Sequence, residues 1–353
     1  MSDEGSGKLI YKVVGGVFAT IIAPLIVAVG VKLLDTPAAP QAGAPDAGAA
    51  APPAAAGPAA AGTVTNEPPA TNSADPSLAV EAQPRVAPQP TRTIHLFNGV
   101  NLDGFDTYLG SGRPKGKPLA KNHDPKNVFT VHDGMIHVTG EMFGGLVTQD
   151  EFEDYRLTIE YRWGEQTWPP REENARTSGV FLHGAGPPLA ASNGQTARRP
   201  RCIRCLIGEG ETGGLLLLGS TPKDPISVEA TAEPLAAAGE DRRMPQFQYR
   251  PDAAPTTITH GYLARLDRPP GWRDVKGFHG RRDIEHPAGE WNILVCTCRG
   301  PRISIRLNGK LVNEILHSSL RRGRITLQSN HAEIFFRRVD LEQFASEREA
   351  PST

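Results

Sequence analysis

The chain has 353 residues, with 38 basic and 39 acidic side chains, a formal net charge of -1 and no long run of either sign. That balance excludes nucleic acid as the main partner, because phosphate binding needs a basic stripe. Aromatic residues make up only 6%, while glycine (37) and proline (32) are plentiful, which predicts many turns and little helix in one folded domain of roughly 250 residues.

Residues 13–31 are 19 consecutive positions without a charge, about the length of a helix that crosses the hydrocarbon layer. Lys8 and Lys12 precede the run and Lys32 and Asp35 follow it. The two leading lysines favour a cytoplasmic N-terminus over residues 1–12 and a single-pass anchor over residues 13–34. A cleaved signal peptide is the rival reading, although its apolar core is normally only about 7–15 residues. The expected partner of this segment is the lipid bilayer, with the folded domain outside the cytoplasm. Residues 35–92 are Ala, Pro and Gly with scattered polar side chains. They lack periodic apolar positions and are expected to form a disordered, semi-rigid linker.

The folded domain is expected over residues 93–345, followed by a tail over 346–353. Residues 128–131 and 135–138 flank Asp133-Gly134, a hairpin signal. Residues 155–163 alternate strictly: Tyr155, Leu157, Ile159, Tyr161 and Trp163 face one way, and Arg156, Thr158, Glu160 and Arg162 the other. Such a strand has one dry and one wet face, as in an antiparallel sheet. Residues 302–307 and 310–314 pair through Asn308-Gly309, and residues 291–299, 324–329 and 333–341 are further strands. Residues 166–177, 184–200 and 220–289 are taken as long Gly/Pro-rich loops. The fold class that results is all-β, an antiparallel β-sandwich or jelly roll.

Several segments carry a family resemblance in their order and spacing. They are HLFNGVNLDGFDTYL, FTVHDGMIHVTGEMFGGLVT, YRLTIEYRWGEQTW, SGVFLHGAG, GEGETGG, GWRDVKGF, GEWNILVCTCRG, RLNGKLVNE and GRITLQSNHAEIFFRRVDL. Together they resemble the 3-keto-disaccharide hydrolase-like family over residues 94–341. The resemblance implies a concanavalin A-like (lectin/glucanase) jelly roll acting on oxidised (3-keto) disaccharides or glycosides, with carbohydrate as partner. The sequence departs from the family pattern where acids are expected. Thr177, Gly214 and Asn330 stand in acidic positions, and Arg204 and Leu206 replace a carboxylate and an amide.

Cleaving a glycoside by hydrolysis needs an acid and a base or nucleophile, commonly two carboxylates about 5–10 Å apart. Elimination beside a ketone needs a base and a group that polarises the carbonyl. The surviving candidates are Glu160, Arg162, His183, Glu209, Glu211 and Asp274. Glu160, His183 and Glu209 are assigned as catalytic, and Arg162, Arg204, Trp168 and Trp272 as substrate-binding. Trp163 is expected in the core. A guanidinium at 204 reverses the expected charge and would favour an anionic sugar, unless Glu160 or Glu209 pairs with it.

Cys202 and Cys205 stand i, i+3 on a strand and point to opposite faces, so CIRC does not form a zinc site. The four cysteines (202, 205, 296 and 298) are expected as buried free thiols. No metal is expected, and no cofactor is identified. Three functions remain open: cleavage of 3-keto glycosides, a non-catalytic glycan-binding module or pseudoenzyme, and a cell-envelope interaction domain.

Overall fold

A computed structural model describes residues 89–110, 118–186, 200–235, 244–281 and 283–345. The expected anchor, the linker up to residue 88 and the tail lie outside the described residues. All described secondary structure is β.

In chain order the strands are β1 (Arg92–His95), β2 (Phe105–Leu109), β3 (Phe129–His132), β4 (Met135–Val138), β5 (Gly144–Thr148), β6 (Phe152–Glu153) and β7 (Tyr155–Thr167). Then come β8 (Thr177–Ala185), β9 (Arg201–Gly208), β10 (Leu215–Leu218), β11 (Val228–Pro234), β12 (Gln246–Tyr249), β13 (Pro255–Ile258) and β14 (Gly261–Ala264). The last six are β15 (Asn292–Arg299), β16 (Arg302–Leu307), β17 (Lys310–Ile315), β18 (His317–Ser318), β19 (Arg322–Ser329) and β20 (Ala332–Gln343).

They form two sheets. The smaller, 8-stranded one runs β17-β16-β15-β7-β20-β4-β3, with β1 on β20. The larger, 12-stranded one runs β13-β11-β12-β14-β10-β9-β8-β19-β5-β2, with β18 on β11 and β6 on β19. Both hairpins expected from Asx-Gly steps are present. Asp133 and Gly134 adopt φ 51° and 71°, and Asn308 and Gly309 φ 47° and 84°. Two successive positive φ values match the right-handed strand twist, which is why Asx-Gly is used there.

The alternation of β7 is realised. Tyr155, Leu157, Ile159, Tyr161 and Trp163 enter one core with Val180, Leu182, Ile203, Cys205 and Ile207 of the larger sheet. Each such large side chain contributes roughly 1.5–3 kcal/mol by leaving water. The stretch 220–289 differs from expectation, because it contains β11 to β14 rather than a bare loop. In β11 the inward positions are Val228, Ala230 and Ala232, and small residues give too weak an alternation to be read from sequence. The four cysteines are buried and form no disulfide. Cys202 packs with Phe181 and Leu218 on the outer face of the larger sheet, whereas Cys205 lies in the inter-sheet core.

Outside that core, the larger sheet presents a second face. Val147, Thr326, Phe181, Arg204, Leu216 and Tyr262 are register partners in one row across it. Arg324 and Gln328 flank Thr326 at i±2 and so share that face.

Candidate functional site

Antiparallel order brings the start of β8, the end of β9, the starts of β10 and β5 and the ends of β14 and β19 to one end of the larger sheet. The loops attached there border the outer face. Thr177, Arg204 and Leu206 on these strands and Gly214 just before β10, four of the positions where the resemblance leads one to expect an acid or an amide, lie at this end. Arg204 Nη2 donates to Thr177 Oγ1 (3.3 Å) and to the Ser178 carbonyl (2.8 Å), and the Leu206 N–H donates to the Gly214 carbonyl at 2.8 Å.

Glycine makes room for two of the side chains. A Cβ at Gly179 would sit 2.7 Å from Arg204 Nε, and the Tyr262 hydroxyl occupies the space that a Cβ at Gly214 would need. An acid at 214 is therefore incompatible with Tyr262 as it stands.

Around this strip the loops supply charge in pairs. Glu211 accepts from Arg268 Nη2 at 2.6 Å and from the Tyr262 hydroxyl at 3.4 Å. Burial raises the Glu211 carboxyl above its ordinary range even though Arg268 pulls it down. Arg171 Nη2 donates to Asp274 (2.8 Å) and to the Ala175 carbonyl (3.1 Å), and Asp274 also accepts from Asn174 and the Ala175 N–H. Backbone bonds place Arg171 near His331: Arg171 N–H donates to the Trp168 carbonyl, and Trp168 N–H donates to that of His331, both at 2.9 Å. Burial, with Arg171 adding to it, lowers the His331 imidazole below its ordinary value.

Several buried polar atoms on this side have no partner among the described residues: His331 Nδ1, Gln328 Oε1, Arg204 Nε, Arg171 Nε and Arg324 Nε. Unsatisfied buried groups are rare in folded proteins and mark places where a ligand or water completes the set.

The expected catalytic residues do not converge. Glu160 and Arg162 lie on the outer face of the smaller sheet. Glu160 is held by Arg337 (2.6 Å) and Arg338 (3.5 Å) beside an open depression of about 660 Å³ also lined by His95, Phe97 and Asp340. Arg162 stacks on Trp291 and Phe335, 5.0 Å from each ring centre, so it does not share a face with Arg204. His183 is buried at φ 55° in a bulge of β8, donates Nδ1–H to the Leu320 carbonyl at 3.0 Å and meets Tyr155 edge-on. Glu209 is buried against Arg176 at 2.6 Å and also accepts from the backbone N–H groups of Arg176 and Gly277. Arg204 is on the site face and pairs with neither Glu160 nor Glu209, contrary to the alternative left open for it.

The two loop tryptophans lie beside the residues just described, Trp168 next to Arg171 and His331 through backbone bonds and Trp272 under Arg268. Trp168 donates Nε1–H to the Thr139 carbonyl (2.9 Å), and Trp272 donates to that of Glu209 (2.8 Å) while Arg268 lies 4.7 Å over its ring. Trp163 is in the core and donates to Glu285 at 3.2 Å. Sequence reasoning did not single out His331, Arg171, Gln328 and Tyr262. Only the i, i+2 spacing of Arg324, Thr326 and Gln328 signalled a polar face there.

Two buried groups oppose one another in pH. Burial pushes the Glu285 carboxyl up to about 7, although Tyr161 donates to it at 2.8 Å. Stability is therefore lost as pH rises from the ordinary carboxylate range through 7. Burial holds the His183 imidazole down to about 4, so stability is lost as pH falls from the ordinary imidazole range toward 4. In Glu285→Gln only the histidine slope remains. Relative to wild type, the variant should gain about 2 kcal/mol on going from pH 5 to pH 8 in urea unfolding. Identical pH profiles for the two proteins would refute the assignment.

The described residues form a two-sheet β-sandwich with polar donors on the outer face of the larger sheet and two tryptophans in the neighbouring loops, and the family its sequence matches is a carbohydrate-active one. The sequence model of the 3-keto-alpha-glucoside-1,2-lyase-like domain matches residues 92–342, and the chain belongs to that family. Two crystal structures of proposed glycosyl hydrolases from Parabacteroides distasonis ATCC 8503 are similar. One has 13% identity, a TM-score of 0.38 and coverage of 71% of this chain and 94% of the other. The second has 17% identity and a TM-score of 0.38, covering 72% and 100%. A Bacillus licheniformis beta-glucanase has 9% identity and a TM-score of 0.34, covering 71% and 97%. At those scores nothing about activity passes from them to this chain. No curated protein matches it.

Proposed function

We propose that the domain cleaves an oxidised (3-keto) glycoside by elimination across C1 and C2, on the outer face of the larger sheet. A ketone at C3 acidifies the C2–H bond, so the reaction needs a base at C2, a cation for the developing C3 oxyanion and an acid for the departing C1 oxygen. His331 is the base, because burial and Arg171 lower its imidazole below the ordinary value and its buried Nδ1 has no partner among the described residues, so substrate would meet it by entering beside the ring. Arg171, oriented by Asp274, stabilises the oxyanion. Glu211, with its raised carboxyl, is the acid. The observation that carries this reading is that His331 Nδ1 is buried without a partner among the described residues, while Arg171, tied to the same turn through Trp168, acts on its imidazole. Trp168 and Trp272 would border the sugar.

The membrane anchor at residues 13–34, with the domain outside the cytoplasm, is part of the same proposal and is supported by the uncharged run and the leading lysines. The test is an assay of the full-length chain on 3-keto-disaccharides. Release of the leaving sugar with formation of an unsaturated keto product supports the reading, and no turnover by folded protein overturns it. A non-catalytic glycan-binding module is favoured by one observation, that both carboxylates of the strip are already paired with arginines.

A further inference from the structure

Arg204 stands at the centre of the site face, in the row between Phe181 and Leu216. Its only acceptors among the described residues are a backbone carbonyl and a hydroxyl, both neutral. No carboxylate within that set reaches it. The other arginines that border the strip are different, since Arg171 has Asp274 and Arg268 has Glu211. Arg324, on the same face, also has no carboxylate partner among the described residues. The strip therefore holds two guanidinium groups that form no ion pair with an acid among the described residues.

A cation drawn out of water without a counter-charge destabilises the free protein. Arg204 is half-buried, with Nε sealed, and burial, with Arg171 adding to it, lowers its guanidinium to about 10. Gly179 leaves the space in which its side chain lies along the sheet. Nε is sealed from solvent without an acceptor, and no acceptor among the described residues engages Nη1.

We infer that the sugar bound on this face carries an anionic substituent, a carboxylate or a sulfate, which Arg204 receives. The inference rests on the site proposed above and names its substrate class, while the elimination step itself uses other residues. A guanidinium gains a charge-assisted bond to such a group that a hydroxymethyl cannot supply.

The experiment is isothermal titration of the full-length chain with methyl α-glucoside, methyl α-glucuronide and methyl α-glucoside 6-sulfate, with Arg204→Gln beside wild type. Wild type should bind one or both anionic sugars roughly 10–100-fold more tightly than the neutral one. Which anion is preferred tells carboxylate from sulfate. Arg204→Gln should abolish the preference, and its Tm should be no lower than that of wild type, since it removes an uncompensated charge. Affinities within about threefold for all three sugars would overturn the inference, as would a preference that survives in Arg204→Gln, or no binding at all. Cleavage of a neutral 3-keto glycoside without anion preference would sink the inference and leave the elimination standing. Arg204-dependent anion binding without turnover of any 3-keto sugar would do the reverse.

Discussion

Glu209→Ala is expected to destabilise the domain by about 3–5 kcal/mol, a large share of the roughly 5–15 kcal/mol that holds a domain folded. Glu209 and Arg176 are only 6% and 8% exposed and meet at 2.6 Å. The second carboxylate oxygen accepts from the N–H groups of Arg176 and Gly277, each at 2.9 Å. Removing the carboxylate leaves the guanidinium buried without a counter-charge and frees two backbone donors. It also loosens the segment carrying Trp272, whose indole is bonded to the Glu209 carbonyl. Arg176→Ala should be similarly severe, and the Arg176→Met, Glu209→Gln double variant should recover part of the loss, because no lone charge remains. Urea unfolding of the three variants measures this. A Glu209→Ala variant as stable as wild type but inactive would restore the catalytic role expected from sequence.

His331→Asn should lower kcat on a 3-keto glycoside by about 10²–10⁴-fold, the usual contribution of a positioned general base. Its stability should stay within about 1 kcal/mol of wild type, because Nδ1 makes no hydrogen bond among the described residues. The pH profile adds a readout that a packing role would not move. Burial, followed by Arg171, lowers the imidazole, so the acid limb of kcat/KM should fall below the ordinary imidazole value. Arg171→Gln removes one of these causes and should move that limb upward, besides slowing turnover through loss of oxyanion stabilisation. A limb unmoved by Arg171→Gln, or a His331→Asn enzyme of wild-type rate, would remove His331 from the mechanism.

How far the sequence reached follows from the range of each physical effect. Strand alternation is local, so the inward face of β7, the hairpins at Asp133-Gly134 and Asn308-Gly309 and the divergence of Cys202 from Cys205 were legible. Weak alternation hid β11 and β13, where alanine and threonine stand in for larger residues, and β12 and β14 are only four residues long. The family resemblance, carried by ordered motifs over most of the domain, already implied the sandwich.

Which sheet a strand joins is set by pairing between distant segments, and the site depends on it. Glu160 and Arg162 sit on the polar face of β7, yet β7 belongs to the smaller sheet, whereas Arg204 is on the outer face of the larger one. His183 and Glu209 carry the right chemistry in sequence, but packing buries both. Conversely, His331 sits at φ 60° in the turn between β19 and β20, and only loop gathering brings Arg171 beside it. From sequence came the strongly alternating strands such as β7, their dry faces, the two Asx-Gly hairpins and the cation at Arg204. Only the fold shows that Glu160 and Arg204 lie on different sheets and that Arg204 forms no ion pair among the described residues, because sheet membership and the pairing of a charge depend on residues remote in the chain.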